Sequence, residues 1–234
     1  MTISDFETKS AEELIRWAMD QYGLKAGLAC SFGMEDMVLI DMIAKLKGPI
    51  TIFTLDTGRL HEETYEIMER VRSHYGLEIK TYFPDSEQVE KLVRGKGFFS
   101  FKESIENRKE CCAIRKIEPL NRALAELNAW VTGLRRDQAV TRTETPKVLE
   151  DADHPPLMKI NPLADWSQEQ VESYIEKHKV PVNALHKKNY PSIGCAPCTR
   201  PIEQGEDIRA GRWWWENPEH KECGLHPRGT NPTT

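Results

Sequence analysis

The strongest constraint on the fold is the alternation of short β-rich runs with segments of helical periodicity. The run KAGLACSFG (25–33) ends in a turn, and apolar residues then recur at helical spacing in MEDMVLIDMIAKL (34–46). The pattern repeats with PITIFTLDTG (49–58) and HEETYEIMERVRSHYG (61–76), and EIKTYFP (78–84) is a third strand candidate. Strands that alternate with helices predict an α/β fold with a doubly wound, mostly parallel sheet.

The later part of the sequence indicates the end of the sheet followed by an irregular region. The segments AWVTG (129–133) and MKINPL (158–163) predict further strands, and the polar segment between them (134–147) predicts a loop over a site. Prolines then recur from residue 180 onward, together with cysteine motifs and RWWW. We therefore expect an α/β nucleotide-binding domain over 1–179 and an irregular extension over 180–234 that covers the carboxyl edge of the sheet.

Charge and cysteine content narrow the functional classes. The formal net charge is −5 and the pI is near 5.9, which argues against a general binder of nucleic acid or anionic membranes. No apolar run reaches the roughly 18 residues of a membrane span, and the start MTISDFETKS lacks the regions of a signal peptide. We expect a cytoplasmic protein whose six cysteines serve metal binding or catalysis rather than disulfides.

Two polar loops follow the first two predicted strands. In SFGMED (31–36) a helix start offers free N–H groups to an anion, Ser31 adds a hydroxyl and Gly33 permits close backbone approach. An ordinary strand-to-helix turn would look the same, and the loop is neither a Walker loop nor a dinucleotide fingerprint. The sequence LDTG (55–58) reaches the same edge, where open α/β sheets bind ligands, although Asp56 would equally serve as a helix N-cap.

Four cysteines form two close pairs. Cys111 and Cys112 are adjacent, and Cys195 and Cys198 form a C-x-x-C motif. The second pair alone fits a redox dithiol, half of a zinc site or half of an iron–sulfur site. All four together predict a four-thiolate metal centre. Zinc and a four-iron cluster both accept four cysteines, and the adjacent pair, unusual in structural zinc sites, favours iron–sulfur.

The adjacent cysteines open a predicted helix over 111–127, in which Pro119 disfavours a continuous helix. On this helix Lys116 would lie near the metal centre and could point at an anionic ligand. A solvated surface lysine is the ordinary alternative.

The remaining cysteines differ from each other. Cys223 lies close to His226, and Arg209 and Arg212 precede it, so positive neighbours would hold it as the reactive thiolate. The alternative is an incidental tail cysteine. Cys30 lies inside an apolar run, which predicts that it is a buried strand residue.

Seven motifs in order carry a family resemblance: SFGMED, LDTG, ECCAIRK…PL, TGLRRDQ, YPSIGCAPCT, GRWWW and ECGLH. From about Cys30 to His226 the chain resembles the assimilatory adenylyl-sulfate (adenosine 5′-phosphosulfate, APS) reductases of the phosphoadenylyl-sulfate (PAPS) reductase family. The resemblance implies an adenine nucleotide alpha-hydrolase-like fold, related to the PP-loop ATP pyrophosphatases. Because SFGMED replaces their S-G-G-x-D-S loop, ATP cleavage is not expected.

The resemblance also implies a reaction. It makes Cys111, Cys112, Cys195 and Cys198 the ligands of a [4Fe–4S] cluster, and members with these four cysteines usually use APS. Cys223 would attack the sulfate sulfur of APS, giving S-sulfocysteine and AMP. Reduced thioredoxin would then release sulfite by thiol exchange.

The resemblance further assigns substrate contacts. Around the phosphosulfate it implies Lys116, Arg209, Arg212 and His226, and around the nucleotide Ser31, Phe32, Gly33, Asp56, Thr57 and Gly58, with Arg135 and Arg136 as further candidates. The alternatives are a PAPS reductase or a dual APS/PAPS reductase, a PP-loop ATP-dependent enzyme, and a zinc-bound nucleotide sensor. The sequence leaves open whether the chain forms a homo-oligomer.

Overall fold

The computed structural model describes residues 3–138 and 142–217. Its strands are β1 (Ala26–Ala29), β2 (Thr51–Leu55), β3 (Lys80–Tyr82), β4 (Ala129–Val131), β5 (Val148–Glu150) and β6 (Met158–Ile160). Within these residues they form one sheet in the order β3-β2-β1-β4-β6-β5. All neighbouring pairs are parallel except β5 with β6. The predicted doubly wound, mostly parallel sheet is confirmed, and the short antiparallel edge strand β5 was not predicted.

The helices connect and cover these strands. Their bounds are α1 (Ile3–Glu7), α2 (Ala11–Tyr22), α3 (Met34–Leu46), α4 (Glu62–Tyr75), α5 (Ser86–Lys96), α6 (Ile105–Cys112), α7 (Glu118–Ala125) and α8 (Gln168–His178). None of the helices in the described ranges is both long and apolar enough to span a bilayer.

The core lies on both faces of the sheet because successive strand residues point to opposite sides. Ile52 belongs to the larger apolar cluster, which includes residues of α2, α3, α4 and α8. Its neighbour Phe53 belongs to a smaller cluster with Trp130 and with Leu120 and Leu124 of α7. Burial of each such side chain contributes roughly 1.5–3 kcal/mol, so the sheet is stabilised from both faces.

The helix predicted over 111–127 is present, with one local change of pitch. After Cys112 the backbone widens into a π-helical turn (Ala113–Ile117), which leads directly into α7. Pro119 therefore falls in the first turn of α7, where its missing N–H group is not needed. The widened turn therefore explains how a helix can run through Pro119, which the sequence disfavours.

The described part of the C-terminal extension is irregular, with short 3₁₀ turns at Ala184–Lys188 and Ala196–Cys198. Backbone hydrogen bonds tie it down: Ala196 N donates to Arg59 O at 2.8 Å, and Trp213 N donates to Cys198 O at 3.1 Å. These bonds place the C-x-x-C motif against the loop that follows β2. The domain boundary at residue 180 stays a prediction.

Substitution of Gly211 tests the internal packing of the extension. A Cβ atom there would lie 2.3 Å from the Arg200 carbonyl oxygen, and Arg200 N donates to Gly211 O at 3.0 Å. Since both segments must separate, we expect Gly211→Ala to lower the free energy of unfolding by about 1–3 kcal/mol, measured by urea denaturation.

Gly95→Ala is the matched control. This glycine lies in α5, and among the described residues outside its own helix no atom approaches a Cβ there within 4 Å. We expect it to be neutral or to gain up to about 1 kcal/mol. Equal stability of the two variants would contradict the proposed packing at Gly211.

Candidate functional site

An open cleft of about 1010 Å³ lies at the carboxyl edge of the sheet. It is lined by residues that follow β1, β2 and β4, among them Ser31, Thr57 and Gly133. From β1 the chain continues to β2 and β3 on one side, and from β4 it continues to β5 and β6 on the other. Ligands of open α/β sheets bind where the strand order diverges in this way. The volume is that of a pocket for a nucleotide-sized molecule.

The loop after β1 is fixed by a buried carboxylate. The Asp36 carboxylate accepts hydrogen bonds from Ser31 N at 2.6 Å and from Ser31 Oγ at 2.7 Å. Burial raises the pKa of Asp36 to about 6, against the two Ser31 hydrogen bonds, which lower it. A Cβ at Gly133 would lie 2.6 Å from Asp36 Oδ1, so the loop after β4 also packs closely here. Because the Ser31 hydroxyl donates to Asp36, its lone pairs are what it offers to a ligand.

The start of α3 differs from that of α2. In α2, Ser10 and Glu13 form a capping box. The N-cap of α3 is Gly33, with no side-chain cap. The Asp36 carboxylate in the first turn accepts from the Gly33 backbone, while the helix start itself borders the cleft, where the helix dipole favours an anionic ligand.

Phe32 lies in this loop but contributes its side chain to the core. The ring is fully buried in the larger apolar cluster, and the backbone adopts a left-handed φ of 62°. Such a conformation costs a non-glycine residue roughly 1–2 kcal/mol, which burial of the ring offsets. Any role of Phe32 in ligand binding therefore falls to its backbone.

The loop after β2 contains residues that shape it and one that faces the cleft. Asp56 Oδ1 accepts hydrogen bonds from Gly58 N at 2.7 Å and from the Tyr65 hydroxyl at 3.0 Å. Burial and Asp56 together raise the pKa of Tyr65 to about 12. His61, not Asp56, is the N-cap residue of α4. Thr57 lines the cleft, and its Oγ1 lies 3.2 Å from Cys195 Sγ.

The four paired cysteines lie together. Cys111, Cys112, Cys195 and Cys198 line one small cavity beside the cleft. Burial, together with the charges of the other three cysteines, raises the pKa of Cys198 to about 12. The two pairs come from distant parts of the sequence, so their convergence depends on how the extension packs against α6.

The cavity of the cysteines is cationic. Its described lining includes no carboxylate, and the cationic side chains around it are Arg59, Arg108, Arg115, Lys116 and Arg212. Arg115 Nη1 donates to Thr57 O at 2.7 Å, and burial lowers the pKa of this guanidinium. Glu216 pairs with Arg108 behind this lining, and the five cations still outnumber that one carboxylate, which favours an anionic group in the cavity.

The donor set can be tested against two kinds of metal centre. Within residues 3–138 and 142–217, no three or more Cys, His, Asp or Glu side chains are arranged to hold a metal ion. A mononuclear zinc site needs every sulfur about 2.3 Å from one ion. A four-iron cluster binds each thiolate on a different iron, so its ligands lie farther apart. Four thiols around one cationic cavity fit such a cluster better than a single ion.

Lys116 and Arg212 line both the cleft and the cysteine cavity. Lys116 lies in the π-helical turn directly after the adjacent cysteines. Arg212 Nη1 donates to Ser192 Oγ and to Ile193 O, both at 3.2 Å, and its guanidinium lies 4.8 Å from the Trp213 ring centre. Two cations therefore join the two cavities.

A buried ion pair fixes the end of the described chain. Arg108 Nε and Nη2 donate to the two carboxylate oxygens of Glu216 at 2.8 and 2.9 Å. The side chains are 1% and 4% exposed, and Arg108 lies 4.7 Å from the Trp213 ring centre. This contact attaches the extension to α6, the helix that carries Cys111 and Cys112.

The other predicted site residues fall into three groups. Arg209 lines the cleft. Arg135 also borders it, but its buried guanidinium pairs with Glu35 at 2.8 Å and binds Gln168. Arg136 is not among the cleft residues and pairs with Glu7 at 2.6 Å. The predicted Cys223 and His226 lie outside the described residues and stay predictions.

Sequence reasoning missed several residues of both cavities. Five of them, Glu35, Asp36, Arg115, Thr132 and Gln138, lie inside the quoted motifs, so the motifs marked their position but not their role. The missed residues include Arg59, Arg108 and Arg115 at the cysteines, and Glu35, Asp36, Thr132, Gln138, Arg142 and His186 at the cleft.

Comparison with known proteins assigns the family. The protein-family model of the phosphoadenosine phosphosulfate reductase domain matches residues 25–201, which are most of the chain. The chain belongs to this family. The curated adenosine 5′-phosphosulfate reductase of Allochromatium vinosum is 56% identical over 204 residues, which cover 87% of this chain and 79% of that protein.

Solved structures agree on the fold. A phosphoadenylyl-sulfate reductase from Candida auris, crystallised as a phosphate complex, has a TM-score of 0.71 at 29% identity and covers 86% of this chain and 96% of its own. An FMN adenylyltransferase from Candida glabrata in complex with ATP has a TM-score of 0.52 at 13% identity, covering 97% and 83%, and supports the fold alone. The adenine nucleotide alpha-hydrolase-like fold is confirmed.

Glu216→Ala tests the anchor of the extension. It leaves Arg108 buried without its carboxylate partner, and we expect the free energy of unfolding to fall by about 3–5 kcal/mol in urea denaturation. Glu69→Ala is the matched control, because it removes the exposed partner of Arg72, with Glu69 64% exposed. We expect a change of less than about 1 kcal/mol there. Similar losses for both variants would contradict the anchoring role.

Proposed function

We propose that the protein reduces APS to sulfite and AMP in sulfate assimilation, with reduced thioredoxin as the donor. The observation that carries this proposal is the cationic junction of Lys116 and Arg212, shared by a nucleotide-sized cleft and a cavity lined by four cysteines. The high identity to a curated APS reductase supports the choice of substrate.

The nucleotide binds in the cleft between the loops after β1 and β4. Its phosphate faces the start of α3 at Gly33, where backbone N–H groups and the helix dipole stabilise negative charge. The phosphosulfate extends toward Lys116, Arg209 and Arg212, all of which line the cleft. His226 is a further contact in this proposal.

The first chemical step is attack by the Cys223 thiolate on the sulfate sulfur of APS. A sulfur–sulfur bond forms, the bond from that sulfur to the phosphate oxygen breaks, and AMP leaves with the electron pair. Lys116, Arg209 and Arg212 stabilise the charge that develops on the phosphate. In the second step a thioredoxin thiolate attacks the Cys223 sulfur, and sulfite leaves.

Cys111, Cys112, Cys195 and Cys198 hold a [4Fe–4S] cluster in this proposal. The fit rests on four thiols around one cavity and on the cations that line it. When bound, the cluster supplies fixed charge and local order beside the cleft rather than electrons. Thr57 and Arg115 position the cysteines through their contacts with Cys195 and the loop after β2. We place the reaction in the cytoplasm, where thiols are kept reduced.

Incubation with sulfur-labelled APS in the absence of reductant tests the reaction. We expect one labelled sulfonate group on the Cys223 peptide by mass spectrometry, with AMP released in equal amount. PAPS in the same assay should react more slowly, since the proposal is for the nucleotide without the 3′-phosphate. A faster reaction with PAPS would show that PAPS, and not APS, is the preferred substrate.

Two variants complete this experiment. We expect Cys223→Ser to keep its iron but to gain no label and release no sulfite. The control Cys30→Ala removes a thiol buried in the core and should still acquire the label. Sulfite release by Cys223→Ser at an undiminished rate would refute the role of this cysteine.

A further inference from the structure

Phe98, Phe99, Trp214 and Lys102 form an exposed surface that we call the aromatic patch. The three aromatic side chains are 66%, 64% and 39% exposed, respectively. Each large apolar side chain left in water forgoes roughly 1.5–3 kcal/mol of burial. Exposed apolar surface of this size commonly marks an interaction site.

The patch is continuous although its residues come from distant segments. Lys102 Nζ lies 5.7 Å from the Phe99 ring centre and 5.6 Å from the Trp214 ring centre, so it bridges the two. The rings of Trp214 and Trp215 are 4.8 Å apart, and Trp215 lies 6.0 Å from Phe101. A single surface therefore joins residues 98–102 to the end of the described chain.

Two residues that line the cysteine cavity, Phe101 and Arg59, attach the patch to it. Phe101 is buried and lines that cavity. Arg59, another lining residue, donates from Nη2 to Phe98 O at 2.8 Å and lies 5.0 Å from the Phe101 ring centre. The exposed rings are thus carried on a loop with buried attachments.

The length of the remaining chain relates the patch to Cys223. The Arg108–Glu216 pair anchors residue 216, two positions after Trp214. Cys223 follows Glu216 by seven residues, and a fully extended chain of that length spans at most about 25 Å. A thiol that reacts with Cys223 must therefore come within about 25 Å of Glu216, and Trp214 of the aromatic patch lies two residues before this anchor.

We propose that the aromatic patch docks the dithiol protein that regenerates Cys223. This inference rests on the proposed function and adds the surface on which its second step takes place. The partner is a small protein with apolar surface around its reactive cysteine, because the patch offers aromatic rings and one ammonium group. A protein donor gains affinity from this contact, whereas a small dithiol has no surface to place there.

The chemistry at the docked complex balances. A donor thiolate attacks the Cys223 sulfur, a mixed disulfide forms, and the bond to the sulfonate sulfur breaks, so sulfite leaves with the electron pair. The second donor thiolate then attacks the mixed disulfide at the donor sulfur. The donor leaves as a disulfide, and Cys223 returns as a thiolate.

The double variant Phe98→Ser/Phe99→Ser tests the docking surface. We expect kcat/KM for reduced thioredoxin to fall at least about tenfold, mainly through KM, because aromatic anchors dominate protein interfaces. Turnover with dithiothreitol and the rate of Cys223 labelling by APS should stay within about twofold of the unsubstituted protein, since neither needs the protein partner. Leu24→Ser is the matched control: Leu24 is 67% exposed and precedes β1 at the opposite edge of the sheet.

Any result other than a selective rise in KM for thioredoxin would overturn the proposal, and each such result points to a different role for the patch. An unchanged KM for thioredoxin, or an equal rise in Leu24→Ser, would show that the patch does not dock the donor. Slower labelling by APS alone would assign the patch to the chain's own C-terminal segment. A change of oligomeric state in analytical ultracentrifugation would assign it to a second copy. Absence of the label in the unsubstituted protein would refute the proposed function and the docking proposal together.

Discussion

The arrangement of the site depends on the anchoring of an irregular segment against a regular sheet. Between residues 180 and 217 the extension has no strand ladder beyond an isolated bridge of Thr199 with Arg212, so separate contacts must fix it. The main ones are the buried Arg108–Glu216 pair and the hydrogen bond from Ala196 N to Arg59 O. The ion pair offsets its desolvation through two short, parallel hydrogen bonds. Without this anchoring, Cys195 and Cys198 would have no fixed position relative to Cys111 and Cys112.

The charged residues of the site differ in their partners and in the number of cavities that they border. Arg135 and Arg136 are bound by Glu35 and Glu7, respectively, and the Asp56 carboxylate is used within its own loop. These residues resemble ligand contacts in the sequence, but their main contacts are internal. Lys116 and Arg212 border two cavities, and Arg212 is held there by internal hydrogen bonds rather than by a carboxylate in the lining. This difference makes them the stronger candidates for stabilising an anionic substrate.

Much of the fold followed from local pattern, and the exceptions have physical reasons. Alternating strands and helices gave the parallel sheet because the periods of 2 and 3.6 are strong local signals. The edge strand β5 is as short as β3, β4 and β6, but no strand pattern in the sequence marks it. Pro119 is accommodated by the π-helical turn that precedes α7. Phe32 lies in a loop motif, but its side chain packs into the core. The Arg108–Glu216 contact joins residues far apart in the chain, which single-sequence reasoning does not detect.

We propose that four cysteines from two segments hold one [4Fe–4S] cluster beside the cleft. Iron and acid-labile sulfide, measured in protein purified without oxygen, test this proposal most directly. We expect about four of each per chain, lost in Cys195→Ala and retained in Cys30→Ala. Zinc in place of iron, or full iron content in Cys195→Ala, would contradict it.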